Sequence, residues 1–399
     1  MTGVSRARWP LILGLWAAPV SIAVSETFLS VAALVQLARL LGRRVSIPWP
    51  RCLWLWLVWA VLEVLLWMSS PEPALGWSEI RHLLLLAGLY LALSGFETPQ
   101  EALAAWKGVF VTATASSLFL IGQVFFRLWL YGGHIAAGGD VRFYLRSGGF
   151  VGHWMVWATV EIVVVAGLLG FWSAHGDTRR RLWPIMAIHA AAVALSLTRM
   201  AWLACLCLAG ISLAWNRSRW VWSLPVVLLV LLVPYSLAPG AVRLRAGGLA
   251  DPAHYSNAER LQMLGVGWSM VRDHPWTGVG AGRVDTLYES YLAPGEPVPA
   301  YHGHLHNNVA QIAAEFGLPV AVAALVFVWF AFRDLLAVRR AAADPARAFL
   351  ADAAVLALCG FLVGGLFEYT YGHALGLIMI TFAVIPPLLM PPGREGEGR

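Results

Sequence analysis

The feature that most constrains this chain is a series of apolar runs that recurs along nearly its whole length. A helix that crosses a bilayer needs about 20 apolar residues. Only 13% of the 399 residues are charged, whereas soluble globular domains carry about 25%. The pattern excludes a soluble protein and predicts one all-α, polytopic membrane domain, residues 1–399. About 12 spanning helices are expected, near 9–24, 27–41, 52–68, 80–96, 107–130, 150–172, 182–198, 200–216, 219–237, 314–333, 347–366 and 370–390.

Two of these runs are interrupted by polar residues. The first two segments share one run, and Ser25-Glu26 is the predicted break between them. The N-terminal stretch resembles a signal peptide, but no small-residue cleavage site closes it, so it is interpreted as a retained first helix. The run 182–216 is split in the same way by Thr198-Arg199.

Arginine placement predicts the orientation, because short cytoplasmic loops carry an excess of Lys and Arg. The arginine triplet at 179–181 and the arginines of 333–347 mark cytoplasmic loops. The acidic segment 69–79 and the short loop 368–374 then face outward. Twelve helices in this arrangement place both termini in the cytoplasm.

Two outward segments carry arginines against this rule. Segment 131–150 contains Arg142 and Arg146, and the loop 238–306 contains Arg243, Arg245, Arg260, Arg272 and Arg283. A loop of this length without an apolar span is presumed functional, and Arg199 lies at a helix break on the same side. Since arginine binds phosphate through a planar fork of donors, these residues predict an anionic, lipid-linked substrate. The alternative for any one of them is contact with lipid headgroups or solvent.

Three histidines alternate at the end of the long loop, His302, His304 and His306. A helix is predicted to begin at Asn307 or Asn308, which places His306 at its outer end. An imidazole titrates near neutral pH and can accept a proton from a sugar hydroxyl. A metal site and a purely structural role are the alternatives for the three rings.

The helix after the histidines carries polar residues at a spacing of four. Asn307, Gln311 and Glu315 are expected to stack on one helix face. Glu63 and Glu161 are the other polar residues noted inside predicted spans, and no chemistry is assigned to them.

Several motifs of the second half occur in a familiar order. They are Arg260-Leu-Gln-Met-Leu, Asp273-His-Pro-Trp-Thr-Gly-Val-Gly-Ala-Gly282-Arg283, His306-Asn307 followed eleven residues later by Gly317, Ser196-Leu-Thr-Arg199, and Arg146-Ser-Gly-Gly-Phe150. Together they resemble the O-antigen ligase/polymerase superfamily. The chain departs from it at Pro319-Val320, where the family often has a second glycine.

The resemblance implies a fold like that of GT-C membrane glycosyltransferases. A large periplasmic loop between helices 9 and 10, residues 238–306, would carry the active site, and residues 131–150 would form a second periplasmic element. It implies transfer of a glycan from undecaprenyl pyrophosphate to a hydroxyl of the lipid A–core oligosaccharide at the bacterial inner membrane. No cofactor, metal or nucleic acid is expected. The outward loops also lack an Asp-x-Asp pair.

The resemblance and the residues predict the same roles. Arg199 and Arg260, with Arg283, would clamp the pyrophosphate and stabilise its developing charge. His306 would act as the base in an inverting displacement. Asn307 and Glu315 are predicted to orient the histidine ring, and both are also predicted, with Gln311, to bind substrate. Arg142 and Arg146 are predicted to bind the phosphates of donor or acceptor.

Other functions remain open for this sequence. An O-antigen polymerase and a protein-glycosylating transferase would use the same lipid-linked donor. The polar tail 393–399 follows the last predicted span closely, whereas the protein-glycosylating type usually carries a further soluble domain, so the ligase is favoured. A transporter or flippase is the alternative from another class, but its unusual residues would lie near the midplane in repeated halves.

Overall fold

The computed structural model describes residues 8–137, 144–175, 179–215, 255–299 and 301–390. Within these ranges the regular secondary structure is helical and contains no strand. The longer helices are α1 (Trp9–Ala17), α2 (Ile22–Leu41), α3 (Cys52–Met68), α4 (Trp77–Leu93), α5 (Pro99–Ala136), α6 (Trp154–Ala174), α7 (Arg179–Leu195), α8 (Arg199–Trp215), α9 (Tyr255–Asp273), α10 (Asn308–Ala341), α11 (Pro345–Gly365) and α12 (Ala374–Leu389).

Five of the described helices have the length and hydropathy to cross a membrane: α2, α5, α6, α10 and α11. Four more are apolar but shorter, namely α3, α7, α8 and α12. This composition is that of a polytopic membrane protein, as predicted. The predicted span 219–237 lies outside the described residues, and so do residues 238–254 of the predicted loop 238–306.

The predicted break at Ser25-Glu26 is wrong, because both residues lie inside α2. The chain turns instead between Ala17 and Ile22, where Ser21 caps α2. The Ser25 hydroxyl donates a hydrogen bond of 2.9 Å to the Gly14 carbonyl of α1. The polar residue therefore joins the two helices, and α1 is too short to cross a bilayer by itself.

Helix α5 is longer than the predicted span 107–130. It begins after Thr98, whose side chain accepts a hydrogen bond from the Glu101 backbone N–H, and it continues to Ala136. The first residues of the predicted outer segment 131–150 are thus the last turns of a helix.

The core lies where α5, α6, α11 and α12 meet. Trp106 of α5 is fully buried and stacks on Phe382 of α12, with ring centroids 4.7 Å apart, and it meets Phe349 of α11 edge-on at 5.9 Å. Helix α11 is buried along most of its length. This packing fixes α11 and α12, and with them the short connection that joins them.

The two glutamates noted inside spans each have a partner. The His189 ring of α7 lies 2.5 Å from the Glu161 carboxylate of α6 through Nδ1. The Trp59 indole N–H donates a hydrogen bond of 2.8 Å to Glu63 one turn further along α3. These contacts satisfy buried carboxyl groups that would otherwise be costly in a membrane.

The second half of the predicted loop is structured. Residues 255–273 form the polar helix α9, and the segment 274–306 returns to the start of α10 through the one-turn helix Val284–Leu287. Helix α10 begins at Asn308, as predicted, and has a non-helical residue at Gly317.

Candidate active site

His306 occupies a strained turn immediately before α10. Its backbone φ is +50°, a value that non-glycine residues adopt only when the surrounding structure enforces it. The Leu305 backbone N–H donates to Gln311 Oε1 at 2.8 Å, and the Asn307 side chain accepts from the Ala310 N–H at 2.9 Å. The turn is therefore held by the first helical turn that follows it.

A glutamate that was not predicted faces this histidine. Glu368, in the connection between α11 and α12, is 1% exposed, and its Oε2 lies 2.8 Å from His306 Nδ1. Burial acts to raise the pKa of Glu368, but the hydrogen bond and charge of His306, with His304 and His373 nearby, lower it to about 2. Glu368 is therefore a carboxylate, and it accepts the Nδ1 hydrogen of His306.

This contact decides which nitrogen of His306 is available. When Nδ1 donates to a carboxylate, the neutral ring carries its free electron pair on Nε2. Nε2 is then the atom that can accept a proton, and the carboxylate stabilises the imidazolium that forms. The arrangement is that of a general base with an orienting acid.

His304 is part of the same cluster, whereas His302 is not. His304 Nε2 lies 3.3 Å from the other oxygen of Glu368, and its Nδ1 accepts the His306 backbone N–H at 3.2 Å. Burial lowers the pKa of His304 to about 4, against the opposing charge of Glu368. His302 contacts Asp285 at 3.6 Å and the Tyr288 ring instead.

The cluster also has the composition of a metal site. One ligand atom each of His304, His306 and Glu368 lies within 4.8 Å of the others. Two imidazoles and one carboxylate suit a transition metal such as zinc or iron. The chemistry of the donor set therefore fits a divalent cation as well as a base with its orienting acid.

Two predicted arginines converge on α9. Arg199, 5% exposed at the start of α8, donates to the Ser256 hydroxyl at 3.0 Å. Ser256 and Arg260 are four residues apart and share a face of α9. Burial lowers the pKa of Arg260, and Glu368 and then Glu259 oppose this. The interaction with Glu368 places the Arg260 charge within electrostatic range of the His306–Glu368 pair.

The helix break before Arg199 is confirmed. Helix α7 ends at Leu195, Leu197 has a φ of +54°, and the Thr198 backbone N–H bonds to the Ser196 hydroxyl at 3.2 Å. These contacts start α8 at Arg199 and hold its side chain at the N-terminal end of the helix.

Arg146 lies at the edge of the same region. Its guanidinium is 4.7 Å from the centre of the Trp154 ring. Burial lowers the pKa of the neighbouring His153, with Glu368 opposing this and Arg146 adding to it. Arg146 is therefore within electrostatic range of the site, while Arg142 lies outside the described residues.

Arg283 has a different environment. Its Nη2 is 3.2 Å from Glu72 in the connection between α3 and α4, and its Nη1 donates to the Val279 carbonyl at 2.9 Å. The guanidinium is thus already paired with a carboxylate. The structure gives it a role in joining the glycine-rich turn to a neighbouring segment.

The three polar residues predicted on one helix face hold protein segments together. Asn307 Nδ2 donates to the Leu366 carbonyl at 3.1 Å, which ties the histidine turn to the segment of Glu368. Gln311 and Glu315 are buried and hydrogen-bonded at 3.0 Å, and Glu315 accepts the Gly282 N–H at 2.9 Å. Glu368, not Asn307 or Glu315, provides the side-chain contact to His306 Nδ1.

The close contact between the glycine-rich turn and α10 requires glycine on both sides. Gly278 has a φ of +65°, and a Cβ there would lie 2.3 Å from the Glu315 carbonyl carbon. Gly317 has a φ of +81°, and its Cβ would lie 2.6 Å from the Trp276 carbonyl carbon. Two backbones therefore meet where only glycine fits, and the spacing from His306 to Gly317 positions this contact.

Comparison with known proteins agrees with these motifs. A search of curated proteins finds no significant match. Residues 184–325 match the model of a protein family described as O-antigen ligase. The matched region includes Arg199, Arg260, the glycine-rich turn and His306. This match supports membership of the chain in the O-antigen ligase/polymerase superfamily.

Proposed function

We propose that this protein is an O-antigen ligase, a glycosyltransferase that moves a glycan from undecaprenyl pyrophosphate to a hydroxyl of the lipid A–core. The observation that carries the proposal is the His306–Glu368 pair, with Arg260 of α9 in electrostatic range of Glu368 and Arg199 of α8 bonded to Ser256 one turn away on α9. The pair acts as a base, and the arginines form a site for the pyrophosphate leaving group, which gains negative charge as the bond to the sugar breaks.

The reaction follows from these positions. The acceptor oxygen attacks the anomeric carbon of the glycan as His306 Nε2 removes the hydroxyl proton. The bond between that carbon and the phosphate oxygen breaks, and the pyrophosphate leaves with the electron pair. Attack from the side opposite the leaving group inverts the anomeric centre. Glu368 stabilises the imidazolium, and Arg199 and Arg260 stabilise the departing charge.

Arginine is suited to this role because its fork binds phosphate oxygens in pairs. Preorganised donors of this kind typically contribute about 3–4 kcal/mol each at a developing anion. The two arginines supply the positive charge that a divalent ion provides in other transferases, so the proposed reaction is metal-independent. Arg146 is assigned to the rim, for the phosphates of donor or acceptor, and Arg283 is left out of the clamp because Glu72 pairs with it.

A cavity beside the histidine turn supports a lipid-linked donor. It has a volume of about 190 Å³ and lies between α3, α10, α11 and α12, with an almost entirely apolar lining. Asn308, the first residue of α10, lines it together with Ile312, Trp59 and Phe327. Such a cavity suits a short part of a hydrocarbon chain, and we assign it to the part of the lipid nearest the pyrophosphate.

We further propose that the site faces the periplasm at the bacterial inner membrane and that both termini lie in the cytoplasm. A polymerase or a protein-glycosylating enzyme would use the same donor site and differ in the acceptor. The acceptor therefore separates the three enzymes.

The deciding experiment uses purified full-length protein, lipid-linked glycan and three acceptors in parallel: lipid A–core, a second copy of the lipid-linked glycan, and a hydroxyl-bearing peptide. A ligase glycosylates lipid A–core alone. His306→Ala should abolish transfer and leave donor binding nearly normal, since a base contributes roughly 10²–10⁴-fold to the chemical step. His302→Ala is the matched control, because its ring contacts Asp285 and Tyr288 instead of Glu368. Normal transfer by His306→Ala would refute the assignment of the base.

A further inference from the structure

A second groove runs along the outside of the helix bundle between α2 and α4. It has a volume of about 630 Å³. Its lining residues on α2 recur at one-turn intervals from Ile22 to Leu37, which corresponds to roughly 20 Å of helix. Most of the lining is aliphatic, chiefly Leu29, Ala33, Leu37, Leu85 and Leu89.

One end of this groove is polar. Glu26 and Ser30 of α2 and Arg81 and His82 of α4 line it within the first turns of α4. Arg81 is exposed and has no ion pair or hydrogen bond with any residue that the structure describes. A groove with a charged end and a long aliphatic remainder matches the polarity of an amphiphile, which has a charged headgroup and a hydrocarbon chain.

His82 gives a second, independent indication of a ligand. The side chain is 3% exposed, and neither ring nitrogen has a hydrogen-bond partner within the described part of the chain. Its closest carboxylate is that of Glu79, 3.8 Å from Nδ1. Buried polar groups of this kind are costly when unpaired, and a headgroup in the groove would supply the missing partner.

The polar end is connected to the candidate active site. The Glu79 carboxylate accepts a hydrogen bond from the Tyr369 hydroxyl. The Tyr369 backbone N–H in turn donates to Glu368 Oε1 at 3.2 Å. Glu79, which lies beside His82 of the groove, is thus linked by hydrogen bonds to Glu368 of the His306–Glu368 pair. Arg199 and Arg260 belong to α8 and α9 instead.

We infer that this groove holds the lipid anchor of the acceptor, a phosphorylated glycolipid. Arg81 binds a headgroup phosphate, and the hydrocarbon chains lie along the leucines of α2 and α4. The Glu26 carboxylate in the same end disfavours a headgroup that offers only negative charge, and it accepts hydrogen bonds from sugar hydroxyls. This inference rests on the proposed function, since it assigns the lipid that carries the attacking hydroxyl.

Binding measured without donor tests the groove independently of catalysis. Native mass spectrometry of the purified protein would use three probes: lipid A with both phosphates, dephosphorylated lipid A, and phosphatidylglycerol. Arg81→Ala should weaken binding of the phosphorylated lipid A about tenfold or more, because a charge-assisted contact is lost. Leu85→Trp, which fills the aliphatic part, should weaken binding of both forms of lipid A.

The controls match the variants in chemistry and exposure. Arg272→Ala removes an exposed arginine whose ion pair, among the described residues, is with the adjacent Asp273, and Leu118→Trp enlarges an exposed leucine of α5 outside the groove. Both should bind lipid A within twofold of the unaltered chain. Unchanged binding by Arg81→Ala and Leu85→Trp, or equal binding of phosphatidylglycerol, would overturn the inference.

The same variants separate this inference from the proposed function. If lipid A binds through Arg81 and no transfer occurs with any acceptor, the groove stands and the proposed function fails. If transfer to lipid A–core occurs and Arg81→Ala has no effect on binding, the proposed function stands and the groove assignment fails. His306→Ala should bind lipid A normally in both cases.

Discussion

Glu368→Gln is the change that most directly tests the chemistry of the site. The amide keeps the size of the side chain and can still accept from His306 Nδ1, but it cannot neutralise an imidazolium. Burial alone would raise the pKa of Glu368 above its ordinary value of 4.5. The hydrogen bond and charge of His306 are the main effects that instead lower the pKa to about 2. At about 1.4 kcal/mol per pH unit, this shift corresponds to roughly 3 kcal/mol of net stabilisation of the carboxylate by the neighbouring histidines.

The expected result is a loss of turnover of roughly 100-fold with donor binding unchanged, since each 1.4 kcal/mol of the barrier is a factor of ten. Turnover would be measured as glycan attached to lipid A–core by purified protein, and donor binding would be measured separately without acceptor. Glu289→Gln, an exposed glutamate of the 274–306 segment, is the matched control. If Glu368→Gln retained more than half of the turnover while His306→Ala was inactive, the orienting role of Glu368 would be refuted.

The other predictions concern the clamp, the metal, the orientation and the pH response. Arg199→Lys and Arg260→Lys should each weaken donor binding and turnover, because a point charge does not replace the guanidinium fork; near-normal binding would contradict the clamp. Chelation should leave turnover unchanged, and a loss that zinc restores would make the two histidines and Glu368 ligands. Tyr301→Cys should react with an impermeant maleimide from the periplasm and Arg181→Cys only after permeabilisation. The pKa of His304 lies at about 4 instead of 6.5, so its contribution to stability is present above pH 6.5 and declines toward pH 4. His304→Gln should flatten that decline in Tm, and an unchanged slope would contradict it.

The helix pattern could be predicted because it depends on local composition. Apolar runs predicted most of the described helices, five of which have the length and hydropathy to cross a membrane, and the polar residues before Asn308 predicted the start of α10. The error at Ser25-Glu26 has a physical cause. A serine that donates to the Gly14 carbonyl of a neighbouring helix is satisfied inside the bundle, and the sequence does not show that partner.

The site was predicted in part for the same reason. His306, Arg199 and Arg260 could be found from motifs that lie in order along the chain. Glu368 is 62 residues from His306, in another connection, and only the packing of α11 and α12 brings them together. The one available signal was that Glu368 is the acidic residue of the short loop 368–374, which is predicted to face outward. The spacing of the three histidines likewise did not distinguish His304, which contacts Glu368, from His302, which contacts Asp285.

Backbone strain at the site could not be predicted from composition or from residue spacing. Within the described residues, positive φ at non-glycine positions occurs at Arg43, Leu197 and His306. Leu197 lies two residues before Arg199 of the proposed clamp, and His306 is the proposed base. Leucine rarely adopts this conformation, and histidine adopts it more often than most residues but still uncommonly, so neither identity predicts it. Ser196 fixes the first turn, and Gln311, by holding Leu305, fixes the second. Each strained residue directs a charged or basic side chain from the end of a helix, Arg199 in one case and His306 itself in the other. The strain is therefore best explained as the cost of bringing a base and a leaving-group clamp to one place.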